Sequence, residues 1–271
     1  MSIARALAAL AAGLFLVSAA TARAAAPPEL ILATTTSVRD SGLLDDILPP
    51  FTQRTGIAVK VIAVGSGAAL EMARKGDADL VIAHAPEAEE KLVAEGALVA
   101  RRPFAQNYFV IAGPPDDPAK VKEAASPADA LARIAAAKAP FATRGDESGT
   151  HQMEKGYWKN AGVAPQGAWY VSAGQGMGQV LTMAGQLEGY TLTDRATYAA
   201  YREKTGLEVL VEGDPKMFNP YGVIAVNPEK HPGLNNKGAM AFVDWITSPE
   251  GQKAIADFKI SGLQMFFPSA K

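Results

Sequence analysis

Ahead of residue 96 the chain alternates short apolar runs with helix-patterned segments, and that alternation leaves few folds open. Residues 29–33, 59–64 and 79–83 are strand-like, while 42–54, 68–75 and 86–95 carry helical apolar spacing. Gly76 and Gly96 sit where helices should end, and Pro86 where one should begin. Pro49-Pro50 should kink or interrupt the first of these helices. A βαβα run of this kind predicts a mostly parallel sheet covered by helices.

The pattern then leaves this unit and returns to it. A strand over residues 107–112 leads to the exposed punctuation of Gly113-Pro114-Pro115-Asp116-Asp117-Pro118. A helix capped by Ser126 runs to about Lys138, followed by a strand over 140–143, a helix over 150–160, a strand over 169–171 and a helix over 177–186. A strand over 190–192 follows, with Thr193 placed to cap a helix over 194–203. Strands over 207–211 and 222–226 and helices over 237–245 and 249–258 complete the chain. The expected organisation is one discontinuous α/β domain from residues 25–109 and 207–271, and a second from 110–206. Two crossings between them make a hinge, the usual setting for a ligand cleft.

Residues 1–24 are expected to be a secretory signal peptide, with Arg5 in a positive start, an apolar core, and Ala22-Arg23-Ala24 at the cleavage site. Losing Arg5 and Arg23 takes the formal net charge from −2 to −4, which argues against nucleic acid and anionic membranes. The chain has no cysteine, so disulfides, thiolate metal sites, cysteine nucleophiles and an N-terminal lipid anchor are all excluded. Export without an anchor points to the periplasm, where the protein is expected as a monomer.

Three segments join a strand-like run to a helix-like one with small hydroxyl residues between: Thr34-Thr35-Thr36-Ser37, Gly65-Ser66-Gly67, and Arg144-Gly145-Asp146-Glu147-Ser148-Gly149-Thr150. Helix starts carry unpaired N–H groups and a partial positive charge, so three that converge would wrap an anion. Alone, the threonine run could be β-branched strand plus cap, Gly65-Ser66-Gly67 a tight turn, and Arg144 a surface partner of Asp146 or Glu147. The repetition, and the match of a guanidinium fork to two oxygens of a tetrahedral dianion, favour a binding role.

Other features carry less. Gly174-x-Gly176-x-Gly178 lacks the third glycine of a dinucleotide fingerprint, so Gly176 and Met177 are only ligand neighbours at a helix start. His84 and His151 have no metal-ligand partner at suitable spacing. Asp194 and Arg195 suggest a structural ion pair at the hinge, and Trp158 and Trp169 core or cleft wall.

With Asp40-Ser41-Gly42-Leu43-Leu44, Gly76-Asp77-Ala78-Asp79, His84-Ala85-Pro86, Tyr190-Thr191-Leu192-Thr193-Asp194-Arg195 and Phe218-Asn219-Pro220-Tyr221-Gly222-Val223, these segments form an ordered series. The series resembles the periplasmic tungstate-binding proteins of bacterial ABC transporters over nearly all of the mature chain. The resemblance implies the type II periplasmic binding-protein fold, one oxyanion in a closed cleft, no cofactor, and delivery to a membrane permease. Carried onto this sequence, it places ligand contacts at Thr35, Thr36, Ser66, Gly67, Arg144, Ser148, Gly149 and Thr150.

Tungstate offers only acceptor oxygens, so such a site should be built of donors, with no carboxylate touching the ligand. Monohydrogen phosphate carries a proton and gains from an acceptor; sulfate is smaller; molybdate matches tungstate in size and charge. The alternatives to tungstate binding are a phosphate- or sulfate-type receptor, which Asp146 or Asp194 among the ligand contacts would favour, and a serine hydrolase using Ser148 with His151.

Overall fold

The computed structural model describes residues 29–270, so the expected signal peptide lies outside the described residues. The first lobe opens with β1 (Glu29–Thr35), α1 (Thr36–Asp40), α2 (Leu43–Thr55), β2 (Ala58–Val64), α3 (Ser66–Lys75), β3 (Leu80–Ala83) and α4 (Pro86–Ala94). A long strand, β4 (Leu98–Gly113), then carries the chain into the second lobe. That lobe holds α5 (Pro127–Ala137), β5 (Phe141–Thr143), α6 (Gly149–Asn160), β6 (Tyr170–Ser172), α7 (Met177–Gln186), β7 (Thr191–Asp194), α8 (Arg195–Thr205) and β8 (Glu208–Val211). The chain returns through β9 (Phe218–Val226) to α9 (Asn236–Ile246) and α10 (Pro249–Asp257). It ends in the short strands β10 (Lys259–Ile260), β11 (Leu263–Gln264) and β12 (Phe267–Pro268).

The first-lobe sheet runs β12-β4-β9-β3-β1-β2. Only β1 with β2 and β1 with β3 are parallel; β9 and β4 enter antiparallel, as does β12. The expected parallel character therefore holds for the βαβα half and fails where the chain crosses between lobes and returns. Apolar side chains of α2, α9 and α10 close one face of this sheet, and those of α3 and α4 the other. In the second lobe, β5 and β6 pair in parallel, while β7 and β8 pair antiparallel with the far end of β4. Aromatic packing of Phe141, Trp158, Trp169 and Tyr170 fills one side of it, so both tryptophans belong to the core region rather than to a stacking platform.

Several local expectations are corrected. Pro49 and Pro50 lie inside an unbroken α2. Buried Leu43, Leu44, Ile47 and Phe51 hold that helix to the core, and the carbonyls the prolines leave without donors belong to exposed Asp45 and Asp46. Asp194, not Thr193, caps α8: its Oδ1 accepts from Thr197 N at 2.9 Å. Asp194 does not pair with Arg195, which reaches Glu212 instead; the aspartate also accepts from Asn107 Nδ2 at 3.1 Å and Thr197 Oγ1 at 2.6 Å. Leu207 packs with Val110, Val180 and Leu181, and Leu210 and Met217 with Phe109, Phe141 and Trp158.

Candidate functional site

The site is built where strands of both sheets end and helices begin. In the first lobe β1 hands over to α1 at Thr35, whose extended backbone makes it the N-cap and whose Oγ1 accepts from Val38 N at 3.3 Å. Thr34, Thr35, Thr36 and Ser37 are all buried. Gly65 caps α3 without a side chain, and Ser66, the first residue of that helix, is buried with its hydroxyl toward the second lobe. There, β5 leads through Arg144 to Ser148, the N-cap of α6, whose Oγ accepts from His151 N at 3.3 Å. Gly145 makes the intervening turn at φ +62°, with Ser172 occupying the place of a side chain. Gly176, again without a capping side chain, starts α7.

Hydrogen bonds across the cleft bring these parts together. Arg144 is 2 % exposed and donates from Nη1 to Thr36 Oγ1 at 3.1 Å. Met177 N donates to the same oxygen at 3.4 Å, and Gly149 N donates to Ser66 Oγ at 3.2 Å. Arg144 Nε and Thr150 Oγ1 are buried with no protein partner. A buried polar group without a partner is uncommon, and both of these belong to one cluster. Of the eight residues singled out in the sequence, Thr35, Thr36, Ser66, Arg144, Ser148, Gly149 and Thr150 thus lie in or beside one buried seam. Gly67 is exposed and, with His84, Glu147 and Gly149, lines a cavity of about 780 Å³ that opens beside the seam between α3, α4 and α6.

Two carboxylates stand at this seam, where the expectation is that none touches the ligand. Asp146 Oδ2 pairs with Arg144 Nη2, and its Oδ1 accepts from Ser148 N at 3.1 Å. Burial would raise the Asp146 pKa, but Arg144 and Ser148 outweigh it and hold the carboxyl below its usual range. Asp40 Oδ2 accepts from Gly178 N at 3.1 Å across the cleft, and its Oδ1 pairs with Arg39. Asp194 lies elsewhere, in the polar cluster with Asn107 described above.

The geometry can now be set beside known proteins. Residues 20–250 match the family model of the PBP superfamily domain. The tungstate-binding protein TupA of Peptoclostridium acidaminophilum is 46 % identical over 246 residues, covering 89 % of this chain and 86 % of that one. The chain belongs to the tungstate-binding protein family. The crystal structure of the tungstate ABC transporter from Geobacter sulfurreducens matches with 50 % identity and a TM-score of 0.78, over 85 % of this chain and 98 % of that one. The tungstate-binding protein TupA from Desulfovibrio alaskensis G20 matches with 46 % identity and a TM-score of 0.74, over 90 % of this chain and all of its own. The fold is that of a type II periplasmic binding protein, and the tungstate-binding family is one of substrate-binding proteins, not enzymes.

Within this family frame the hydrolase alternative loses its chemistry. Ser148 meets His151 only through the backbone N–H, and the His151 ring uses Nδ1 to accept from Glu147 N at 3.1 Å. Among the described residues no three His, Cys, Asp or Glu side chains gather as a metal site, and no helix is long and apolar enough to cross a membrane.

Sequence reasoning missed His84 and Ser37 at the seam. Ser37 was visible only as part of the threonine run. His84 gave one usable signal: it follows β3, and ligands of open α/β sheets gather beyond the carboxyl ends of strands.

Proposed function

We propose that this protein captures tungstate in the cleft between its lobes and hands it to the permease of an ABC transporter. The reading extends to a soluble monomer in the periplasm, released by cleavage near residue 24. One observation carries it: a buried guanidinium, three hydroxyl-bearing segments and the starts of α3, α6 and α7 converge from both lobes, with Arg144 Nε and Thr150 Oγ1 still lacking partners.

The hydroxyls suit a ligand with only acceptor oxygens. Thr36 Oγ1 already accepts from Arg144 and Met177, Ser66 Oγ from Gly149, and Ser148 Oγ from His151. Thr36 Oγ1 has both lone pairs engaged and is left to donate, and Ser66 and Ser148 each keep a hydrogen to donate beside one free lone pair. Charge-assisted hydrogen bonds contribute about 1.5–3 kcal/mol each. Several of them support nanomolar binding, which needs about −12 kcal/mol after association costs.

Asp146 supports a second reading, a receptor for a protonated oxyanion such as monohydrogen phosphate, because a carboxylate beside the arginine could accept that proton. Calorimetry with tungstate, molybdate, sulfate and phosphate separates the two. Tight binding of tungstate with weak binding of phosphate supports the first reading. Tighter binding of phosphate than of either metalate replaces it with the second.

A further inference from the structure

His84 follows β3 and lies beneath the threonine segment. Its ring is buried between Tyr221 and Phe109, with ring centroids 5.0 and 6.3 Å away. An apolar side chain would fill that place as well, yet the ring makes a polar contact: Nε2 lies 3.3 Å from Ser37 Oγ. Ser37 Oγ in turn lies 3.1 Å from Thr35 Oγ1. The three groups form a relay from the core to the first threonine of the site.

Such a relay has two polarities. In one, the ring donates to Ser37, Ser37 donates to Thr35, and the Thr35 hydrogen is turned outward. In the other, Thr35 donates to Ser37, Ser37 donates to the ring, and Thr35 shows the cleft only an acceptor. The choice follows from which ring nitrogen carries the proton.

The surroundings of Nδ1 decide it. Nδ1 is buried and has no hydrogen-bond partner, so a hydrogen placed there would be a stranded donor. It also faces the first residue of α6: a Cβ on Gly149 would stand 2.7 Å from Nδ1. Toward Nδ1 lie the Gly149 Cα–H and the positive end of α6, at the edge of the cavity that His84 and Gly149 both line. Both suit a lone pair and repel an N–H. Burial and the Arg144 charge, against the neighbouring Asn219 amide, bring the ring's pKa down to about 4, so at neutral pH it has a single N–H. That hydrogen belongs on Nε2, pointing at Ser37. Thr35 Oγ1 then receives Ser37 O–H and Val38 N–H, and its own hydrogen has only the cleft to serve.

We propose that His84 is a positioning residue for the oxyanion: through Ser37 it fixes the Thr35 hydroxyl as a donor into the cleft, and so biases the site against oxyanions that carry a proton. The proposal rests on the cleft being the tungstate site. It supplies what Asp146 does not, a reason for a family member to prefer a fully deprotonated cargo.

Two measurements test it. Nitrogen-15 NMR of ring-labelled histidine in the ligand-free protein, with His84 assigned by its loss in a variant, should show the Nε2–H tautomer at neutral pH. An Nδ1–H tautomer or a charged ring overturns the relay. Calorimetry then compares wild type with His84→Gln, whose amide can donate from about the Nε2 position, and His84→Met, of similar size without a donor. His84→Met should lose about tenfold in tungstate affinity, the worth of one hydrogen bond to a charged group. It should also narrow the tungstate-to-phosphate ratio, while His84→Gln keeps most of both. Equal losses in the two variants, or an unchanged ratio in His84→Met, overturn the proposal. If wild type itself gives no heat with tungstate, the cargo reading fails, and the tautomer measurement still decides the relay.

Discussion

The two lobes bring different chemistry to the cleft. The first contributes neutral groups: the hydroxyls of Thr35, Thr36 and Ser66, with the uncharged His84 behind them. Its carboxylate at the seam, Asp40, is engaged by Gly178 N and Arg39. The second contributes charge: Arg144 held by Asp146, and the N-terminal ends of α6 and α7. If the seam is the cargo site as proposed, an oxyanion that meets the second lobe finds its charge matched there. Closure of the first lobe adds directional hydroxyls. The division assigns most of the binding strength to one lobe and most of the discrimination between oxyanions to the other.

The sharpest break of this division is Arg144→Ala. It removes the charge and strands Asp146, so tungstate affinity should fall about a hundredfold, as for loss of one partner of a buried charged pair. Calorimetry showing near-unchanged affinity would place the charge of the site elsewhere. Placing a charge in the first lobe is the converse experiment, and acid measures how strongly the fold resists protonation of His84. The ring's pKa is about 4 in the folded protein against 6.5 ordinarily, so the unfolded chain takes up the proton first as the pH falls. The stability associated with the neutral ring is whole above pH 6.5 and is lost as the pH falls through the folded value. By pH 5 the loss is on the order of 2 kcal/mol. Thermal unfolding between pH 7.5 and 4.5 should show wild type losing more stability than His84→Met; parallel curves would mean that the ring is not held neutral.

Gly149→Ala probes where the lobes touch. The added carbon would meet His84 Nδ1 at 2.7 Å and the His84 carbonyl oxygen at 2.9 Å, so it opposes closure while leaving each lobe's own chemistry intact. Affinity should drop about tenfold, in line with a packing cost of about 1–3 kcal/mol. Small-angle scattering with tungstate present should report a more open shape than wild type. The smallest effect belongs to Thr36→Val, which keeps the shape but removes the oxygen that accepts from Arg144 Nη1 and Met177 N. A loss of no more than about tenfold is expected, the low end for one hydrogen bond to a charged group, about 1.5 kcal/mol. A loss equal to that of Arg144→Ala would show that the hydroxyl, not the charge, organises the seam.

Most of the fold was legible because its elements carry local punctuation. Ser126, Ser148 and Ser248 cap helices where their sequence places them, and α7 spans the residues its pattern marks. The first half of β4 was not legible. Arg101, Arg102 and Pro103 interrupt any strand pattern, and the strand persists because Arg101 pairs with the buried Glu89 on α4 and the register shifts around Pro103. The C-terminal strands were missed as well, since β12 is two residues long and owes its conformation to pairing with β4. At the site, the three hydroxyl-rich starts were visible because each joins a strand to a helix. Asp146 was visible as one possible partner of Arg144 and as the contact that would favour a protonated oxyanion. The relay from His84 was not, because its members come from β3 and from the α1 segment, which the sheet order makes neighbours.

The run of β4 through both sheets has a mechanical consequence. The lobes share a backbone rather than a tether, so one cannot drift relative to the other without bending a ladder of hydrogen bonds. The passage from one lobe to the other falls between Tyr108, paired with Phe218 of β9, and Phe109, paired with Asp194 of β7. Motion of the jaws is thereby confined to few directions.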